Sequence, residues 1–266
     1  MNDILAVFRT HYSIGSSLLT LDEPSKAKPG NPVSIFDLSQ SVGMKDVMIV
    51  DERIDGFLQA YKVSNRLGVK LCYGLKICVC ADMGDKTVES KKTESKAIIL
   101  FRNSQSYGEA TRIWNRAWGH EGHFVHRTES YGRADWKLLK TYWTENLGLA
   151  LPYFNSFLAR NLLTFSQITP DLPAQPWVFK EIDSGLPFAP LIDSAIDRYT
   201  GGVTDMIVSS KTILYARPED FKAYNVFRAI HNKSTFDKPE QAHLSSNRFS
   251  FQSWRELNEK KNSVLA

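Results

Sequence analysis

Three groups of side chains in this sequence have the chemistry of metal binding or proton transfer. His120-Glu121-Gly122-His123-Phe124-Val125-His126 holds half of the six histidines and is the densest run of ligand types. It lacks the HExxH spacing that sets two imidazoles on one helix face, and Gly122 with its aromatic neighbour disfavours a helix. A solvated, irregular loop with one partly buried histidine therefore competes with a metal site. Cys78 and Cys80 share one strand face and could ligate zinc, but they lack a CxxC partner, and small buried thiols are the alternative use. Asp51-Glu52 stands at a strand end, where an α/β enzyme places an acid or a metal ligand. Arg9, Arg53, Lys70, Lys76 and Lys96 lie on or beside strand ends, as a phosphate-binding rim would, or as ordinary surface charges do.

The element that positions Asp51 is the stretch 46–82. DVMIV (46–50) is a short apolar run. Ile54, Phe57, Leu58 and Tyr61 follow at the i, i+3, i+4, i+7 spacing of a buried helical stripe, and Gly68 stops that helix. From Val69 the period switches to two, with Val69, Leu71, Tyr73, Leu75, Ile77 and Val79 on one face. This is a βαβ unit, whose crossover predicts parallel neighbouring strands with ligand-binding loops at their carboxyl ends.

Around this unit, Ile4–Arg9 reads as a first strand and 24–33 as a proline-rich loop. Ser34 with Asp37 resembles a capping box that opens a helix with Ile35, Phe36 and Leu38 inward. The charged run 84–96 reads as a mobile connection. AIILF (97–101) is a buried strand, Tyr107–Trp118 a helix, 148–151 a strand, and 206–216 a pair of short strand runs. Pro218 with two following acids starts a helix. Strands and helices alternate without internal repeats, which predicts an α/β fold, a closed barrel being one of its two common forms.

At 266 residues and 42% hydrophobic, the chain is long enough for one large core. The expected division is a barrel domain over 1–231 and a short carboxyl-terminal extension over 232–266. Lys and Arg number 33 against 29 Asp and Glu, a net charge of +4, too small an imbalance for nucleic-acid binding by charge alone. The three cysteines, Cys72, Cys78 and Cys80, crowd within nine residues, and 78 and 80 share one strand face, poor geometry for a disulfide between them. A reduced, cytoplasmic protein is the expectation. The start, MNDILAVFRT, lacks signal-peptide features, and no run approaches the roughly 18 apolar residues of a membrane helix.

The order RTHYSIGSSLL, then MIVDERIDGFLQAYKVSNRLGVKLCYGLKICV, resembles the opening of the PHP (polymerase and histidinol phosphatase) domain, most closely the one at the amino end of bacterial and phage DNA polymerase III alpha subunits. IILFRNSQSYGEATRIWNRAW resembles that family's next strand and helix, and ILYARPEDFKAYNVFRAIHNKSTFDKP the segment that closes the domain. The resemblance spans most of the chain in order. It implies a PHP-like (β/α)7 barrel, usually carrying a trinuclear metal site at the strand carboxyl ends that hydrolyses phosphoesters, including 3′–5′ exonuclease action in some polymerases.

The departures from the family are as informative. Where a working site has His-x-His, this chain reads Arg9-Thr10-His11; where it has Asp-His, Asp51-Glu52. Lys76 stands at a glutamate position and Lys96 at a histidine position. The cysteine falls near Tyr153 or Phe154, and the Asp-x-His aligns with Thr212-x-Leu214. A lysine at a ligand position puts fixed positive charge where a cation would sit. No metal and no cofactor are therefore expected, with Zn2+ or Mn2+ as the alternative. No palm carboxylate motif is present, so polymerisation by this polypeptide alone is not implied.

Two functions follow from the resemblance. One is a degenerate PHP module, a non-catalytic scaffold in DNA replication that binds DNA weakly and non-specifically through Arg9, Arg53, Lys76 and Lys96, or a separately encoded polymerase core or other replication protein. The other is a metal-dependent phosphoesterase or 3′–5′ exonuclease with an unorthodox site at His11, Asp51 and Glu52. Six Trp, ten Tyr and fifteen Phe are more rings than one barrel core readily hides. Phe249, Phe251 and Trp254, near the carboxyl end, are accordingly the candidate partner-docking surface, with a role in the barrel's own core as the alternative.

Overall fold

The computed structural model describes residues 4–13, 15–24, 32–127, 129–232 and 246–265. Nine strands are present among them: β1 (Leu5–Phe8), β2 (Asp46–Asp51), β3 (Lys70–Cys80), β4 (Ser95–Phe101), β5 (His123–His126), β6 (Glu129–Asp135), β7 (Leu147–Leu151), β8 (Trp177–Glu181) and β9 (Ile207–Ile213). The α-helices among the described residues are α1 (Ile35–Ser41), α2 (Phe57–Leu67), α3 (Ser106–Ala117), α4 (Trp136–Tyr142), α5 (Phe157–Leu163), α6 (Ala189–Thr200), α7 (Phe221–His231) and α8 (Phe251–Leu265). Much of the loop expected at 24–33, and of the segment 232–245 that would begin the extension, lies outside the described residues.

The fold is α/β with a closed seven-strand barrel. Hydrogen bonding orders the strands β2-β1-β9-β8-β7-β4-β3, and β3 pairs with β2 to complete the ring, while β6 and β5 extend from β3. The two strands of the βαβ reading are thus paired. Strand β1 runs parallel to both β2 and β9, with Val7 opposite Met48 and Thr212. Strand β4 runs antiparallel to β3 and to β7. The link from β3 to β4 carries only a five-residue 3-10 turn, Glu89–Thr93, and without a crossover helix the chain returns in the opposite direction.

The residues divide into two compact units, the first comprising Met1–Tyr73, Glu181–Ala189 and Ser209–Ala266, the second Gly74–Lys180 and Pro190–Val208. In the first, α1 opens as its sequence predicts: the Ser34 hydroxyl accepts from the Phe36 amide at 3.1 Å, and Ile35 and Phe36 are buried. Helix α2 ends at Gly68 in the left-handed region (φ 67°), where glycine costs nothing. Its buried face differs from the expected stripe. Ala60, Val63 and Ser64 point inward, whereas Leu58 and Tyr61 are about half exposed (50% and 48%). Small residues let the helix lie close to its neighbours, and the larger side chains are pushed to its flank. The helix expected at Pro218 begins as a 3-10 turn, Pro218–Asp220, and becomes α-helical at Phe221.

In the second unit, β3 is buried on both faces from Tyr73's neighbour Gly74 to Cys80, so its period of two separates two interior faces rather than core from solvent. The histidine segment expected to be irregular forms a hairpin instead: β5 pairs antiparallel with β6, Phe124 opposite Tyr131. Gly122 admits this. A Cβ there would lie 2.3 Å from the Ala117 carbonyl oxygen and 2.5 Å from that of Arg133, so only glycine allows the strand to enter between them.

Candidate functional site

In the first unit, the turn that follows β1 is built around the Asp51 carboxylate at the end of β2. Asp51 is fully buried (0% exposed). Its Oδ1 accepts from the Thr10 amide at 3.0 Å and the Ser13 hydroxyl at 2.9 Å, and its Oδ2 accepts from the Thr10 hydroxyl at 2.6 Å. Each hydroxyl also accepts in turn: Ser13 Oγ from the Glu52 amide at 2.8 Å, Thr10 Oγ1 from the Tyr12 amide at 3.1 Å. The result is a network in which a buried charge is spread over donors that are themselves satisfied. Burial pushes the Asp51 carboxyl above the usual carboxylate range, against the opposing pull of the Thr10 donors and Arg9.

Arg9 and Glu52 pair beside this network at 3.0 Å, with side chains 12% and 37% exposed. His11 is exposed; its amide donates to the Leu19 carbonyl at 2.9 Å, and its ring lies tilted against Tyr12 with centroids 4.5 Å apart. Tyr12 in turn donates to Gln59 at 2.7 Å. Arg53 is bound to Asp55 at 2.6 Å but keeps 46% of its side chain exposed. Of the candidate catalytic residues, Asp51 and Glu52 are therefore neighbours with separate partners, and the Asp51 carboxylate is closed by the chain's own donors.

A second carboxylate is held in the same way. Glu181, at the end of β8, accepts from the Thr212 amide at 3.0 and 3.1 Å and from the Thr212 hydroxyl at 2.6 Å. Beside it Lys211 lies 3.7 Å away, the two side chains 0% and 1% exposed. Burial raises the Glu181 carboxyl and lowers the Lys211 amine, each opposed by the other's charge. Neither residue was a candidate from sequence, although a glutamate and a lysine inside apolar strand runs are the signal that marks them.

In the second unit, the antiparallel register sets Lys76 opposite Ile98 and Cys78 opposite Lys96, which places Lys76, Cys78 and Lys96 on one face of the β3–β4 pair. Lys76 is buried (8% exposed), and the Lys96 amide donates to the Asn155 carbonyl at 2.7 Å. The three cysteines are free thiols. Burial pushes the Cys80 thiol up to about 12, and the thiol donates to the Ala134 carbonyl at 3.4 Å. Arg133, also unforeseen, is completely buried. Its guanidinium lies 4.0 Å from the centre of the Phe124 ring and donates to Ser90 at 2.8 Å, to Glu94 at 3.0 Å and to the Asp85 carbonyl. The connection 84–96, expected to be mobile, is pinned by this residue. His123 Nε2 meets Ser130 Oγ at 2.9 Å, and its ring lies 5.8 Å from Trp118.

Phe249 and Phe251 are buried (0% and 4% exposed). Phe251 stacks on Phe8 at 6.1 Å and on Trp254 at 5.3 Å, and Trp254 Nε1 donates to the Ile4 carbonyl at 2.8 Å. These rings cover β1 within the first unit, because α8 begins directly after the Tyr215–Ser250 bridge and lays its first turn across that strand. Of the three, Phe249 and Phe251 are enclosed by their own chain, whereas Trp254 keeps part of its surface exposed.

The donor set does not fit the metal cluster that the PHP resemblance implies. Three of the roughly four lone-pair sites of the Asp51 carboxylate are taken by Thr10 and Ser13, and among the described residues no group of three or more His, Cys, Asp or Glu is arranged to hold a metal ion. No helix among them is long and apolar enough to cross a membrane. No family model matches the chain, and no curated protein matches it.

Proposed function

We propose that this chain is a PHP-like (β/α)7 barrel that has given up metal-dependent hydrolysis and serves DNA replication as a non-catalytic module, binding DNA or a separately encoded polymerase core. The replication assignment rests on the resemblance of its βαβ unit and closing segment to polymerase III alpha subunits. The non-catalytic assignment rests on one observation: the Asp51 carboxylate, the aspartate kept from the family's second motif, receives three donors from Thr10 and Ser13. Nucleophile activation by bound metal needs carboxylate lone pairs turned toward the ion, and here three of the roughly four are turned toward hydroxyl and amide protons.

DNA contact on this reading falls mainly to Arg53, the most exposed of the candidate cations in the first unit, since Arg9 is largely buried against Glu52. The test is release of nucleotides from a 3′-labelled single strand in the presence of Mn2+ or Zn2+. The reading expects no release above that of Asp51→Asn. Metal-dependent release that this substitution abolishes would establish the alternative, an exonuclease with an unorthodox site at His11, Asp51 and Glu52.

A further inference from the structure

The ammonium of Lys211 is wholly enclosed in the first unit (0% exposed), and its surroundings are those of a bound cation. Lys211 Nζ donates to the Ile182 carbonyl at 2.8 Å and to the Asp183 carbonyl at 2.6 Å, and Glu181 Oε1 lies 3.7 Å away. The Phe249 ring centre stands 5.3 Å off, presenting a π surface that also favours positive charge. Asp183 adopts a left-handed backbone, φ 52°, in the turn that brings two successive carbonyls to one point. Two carbonyls, a carboxylate and an aromatic ring make an oxygen-rich cage with no room for solvent at the lysine, whose side chain is 0% exposed.

We propose that Lys211 is the tethered occupant of a monovalent-cation site formed by Glu181, Ile182, Asp183 and Phe249, and that removing the lysine side chain leaves a site for a free primary ammonium ion. Carbonyl and carboxylate oxygens with one net negative charge suit a singly charged donor of hydrogen bonds. The tether has a structural consequence: it fixes the turn after β8 against β9, two strands whose ends also meet through Thr212 and Glu181. Charged groups around the cage are Glu181, Asp183 and Arg248, the last 3.7 Å from Asp183 Oδ2. The proposal does not depend on the replication reading.

Lys211→Ala is the first variant, with thermal unfolding as the readout. Loss of one partner of a buried ion pair is expected to lower Tm by roughly 10 °C. Propylammonium chloride, which replaces the missing side chain, should restore at least half of the loss, while tetramethylammonium chloride at equal ionic strength, lacking N–H donors, should restore none. Equal responses to the two salts, or none to either, would overturn the proposal. Lys211→Met guards against a variant that folds poorly for lack of volume. It fills the space without charge and leaves Glu181 without its cation, so its carboxyl should rise further above the ordinary value of 4.5. A raised carboxyl contributes stability below its unfolded value and loses it as pH climbs through the folded one. The deficit of Lys211→Met should therefore shrink on acidification from about pH 8 to about pH 5. A methionine variant as stable as the parent at both pH values would show that the site wants volume and not a cation.

Discussion

The Thr10 hydroxyl donates to the Asp51 carboxylate at 2.6 Å, both residues wholly buried, and with the Thr10 amide it ties the end of β1 to the end of β2. Asp51→Asn removes one acceptor and turns amide hydrogens toward the Thr10 and Ser13 donors. The expected cost is about 2–3 kcal/mol, read as a lower urea midpoint with an unchanged m-value. Because burial raises the Asp51 carboxyl above its ordinary 3.8, its contribution is largest at low pH and declines as pH rises through the folded value. The deficit of the asparagine variant should accordingly widen from about pH 7 to about pH 4.

Arg9 and Arg53 separate the structural cations from the candidate DNA contacts. Arg9→Ala removes the largely buried partner of the Glu52 pair and should cost about 1–2 kcal/mol, seen as a fall in Tm. Arg53→Ala removes an exposed side chain whose pair with Asp55 is solvent-accessible on both sides, worth at most about 1 kcal/mol. It should leave Tm unchanged and weaken single-stranded DNA binding several-fold at low salt, with the salt slope reduced by roughly one. An unchanged affinity and slope would remove Arg53 from the interface.

Arg133 supports a different region. Its guanidinium ties Ser90, Glu94 and the Asp85 carbonyl to the β5–β6 hairpin, so Arg133→Met takes the guanidinium from Ser90 and the Asp85 carbonyl and leaves Glu94 with its bonds from the Tyr131 hydroxyl. Amide hydrogen exchange should accelerate across 84–94 by at least tenfold while β7 and β9 keep their protection. Uniform acceleration throughout the chain would mean that Arg133 supports the whole fold rather than this connection.

The barrel was legible because it is written in local patterns. The switch at Val69 from helical to strand period marks β3, Gly68 marks the end of α2, and the apolar run 97–101 marks β4. The direction of β4 was not legible, since it depends on how the link 81–94 packs and not on its own residues. The candidate site was legible as Asp51 and no further. That Thr10 and Ser13 close its carboxylate is a contact between segments about forty residues apart, and a threonine or serine in a turn carries no mark of its distant acceptor. Leu58 and Tyr61 show the limit of periodicity: they keep helical spacing with Ile54, yet the smaller Ala60 and Ser64 take the buried face.

Phe251 provides the test of whether the late aromatics are core. It contacts both Phe8 and Trp254 at 4% exposure, and Phe251→Ala should cost about 3–5 kcal/mol through lost burial and the cavity left behind. A docking anchor would instead leave Tm in place and reduce only the capture of a partner.

Metal content tests the central claim most directly. The purified protein is saturated with Zn2+ or Mn2+, freed of unbound ion by gel filtration, and analysed for bound metal. With Asp51 closed by Thr10 and Ser13, well under one equivalent is predicted, and Asp51→Asn is predicted to bind no less than the parent. One or more equivalents retained by the parent and lost in Asp51→Asn would contradict the account.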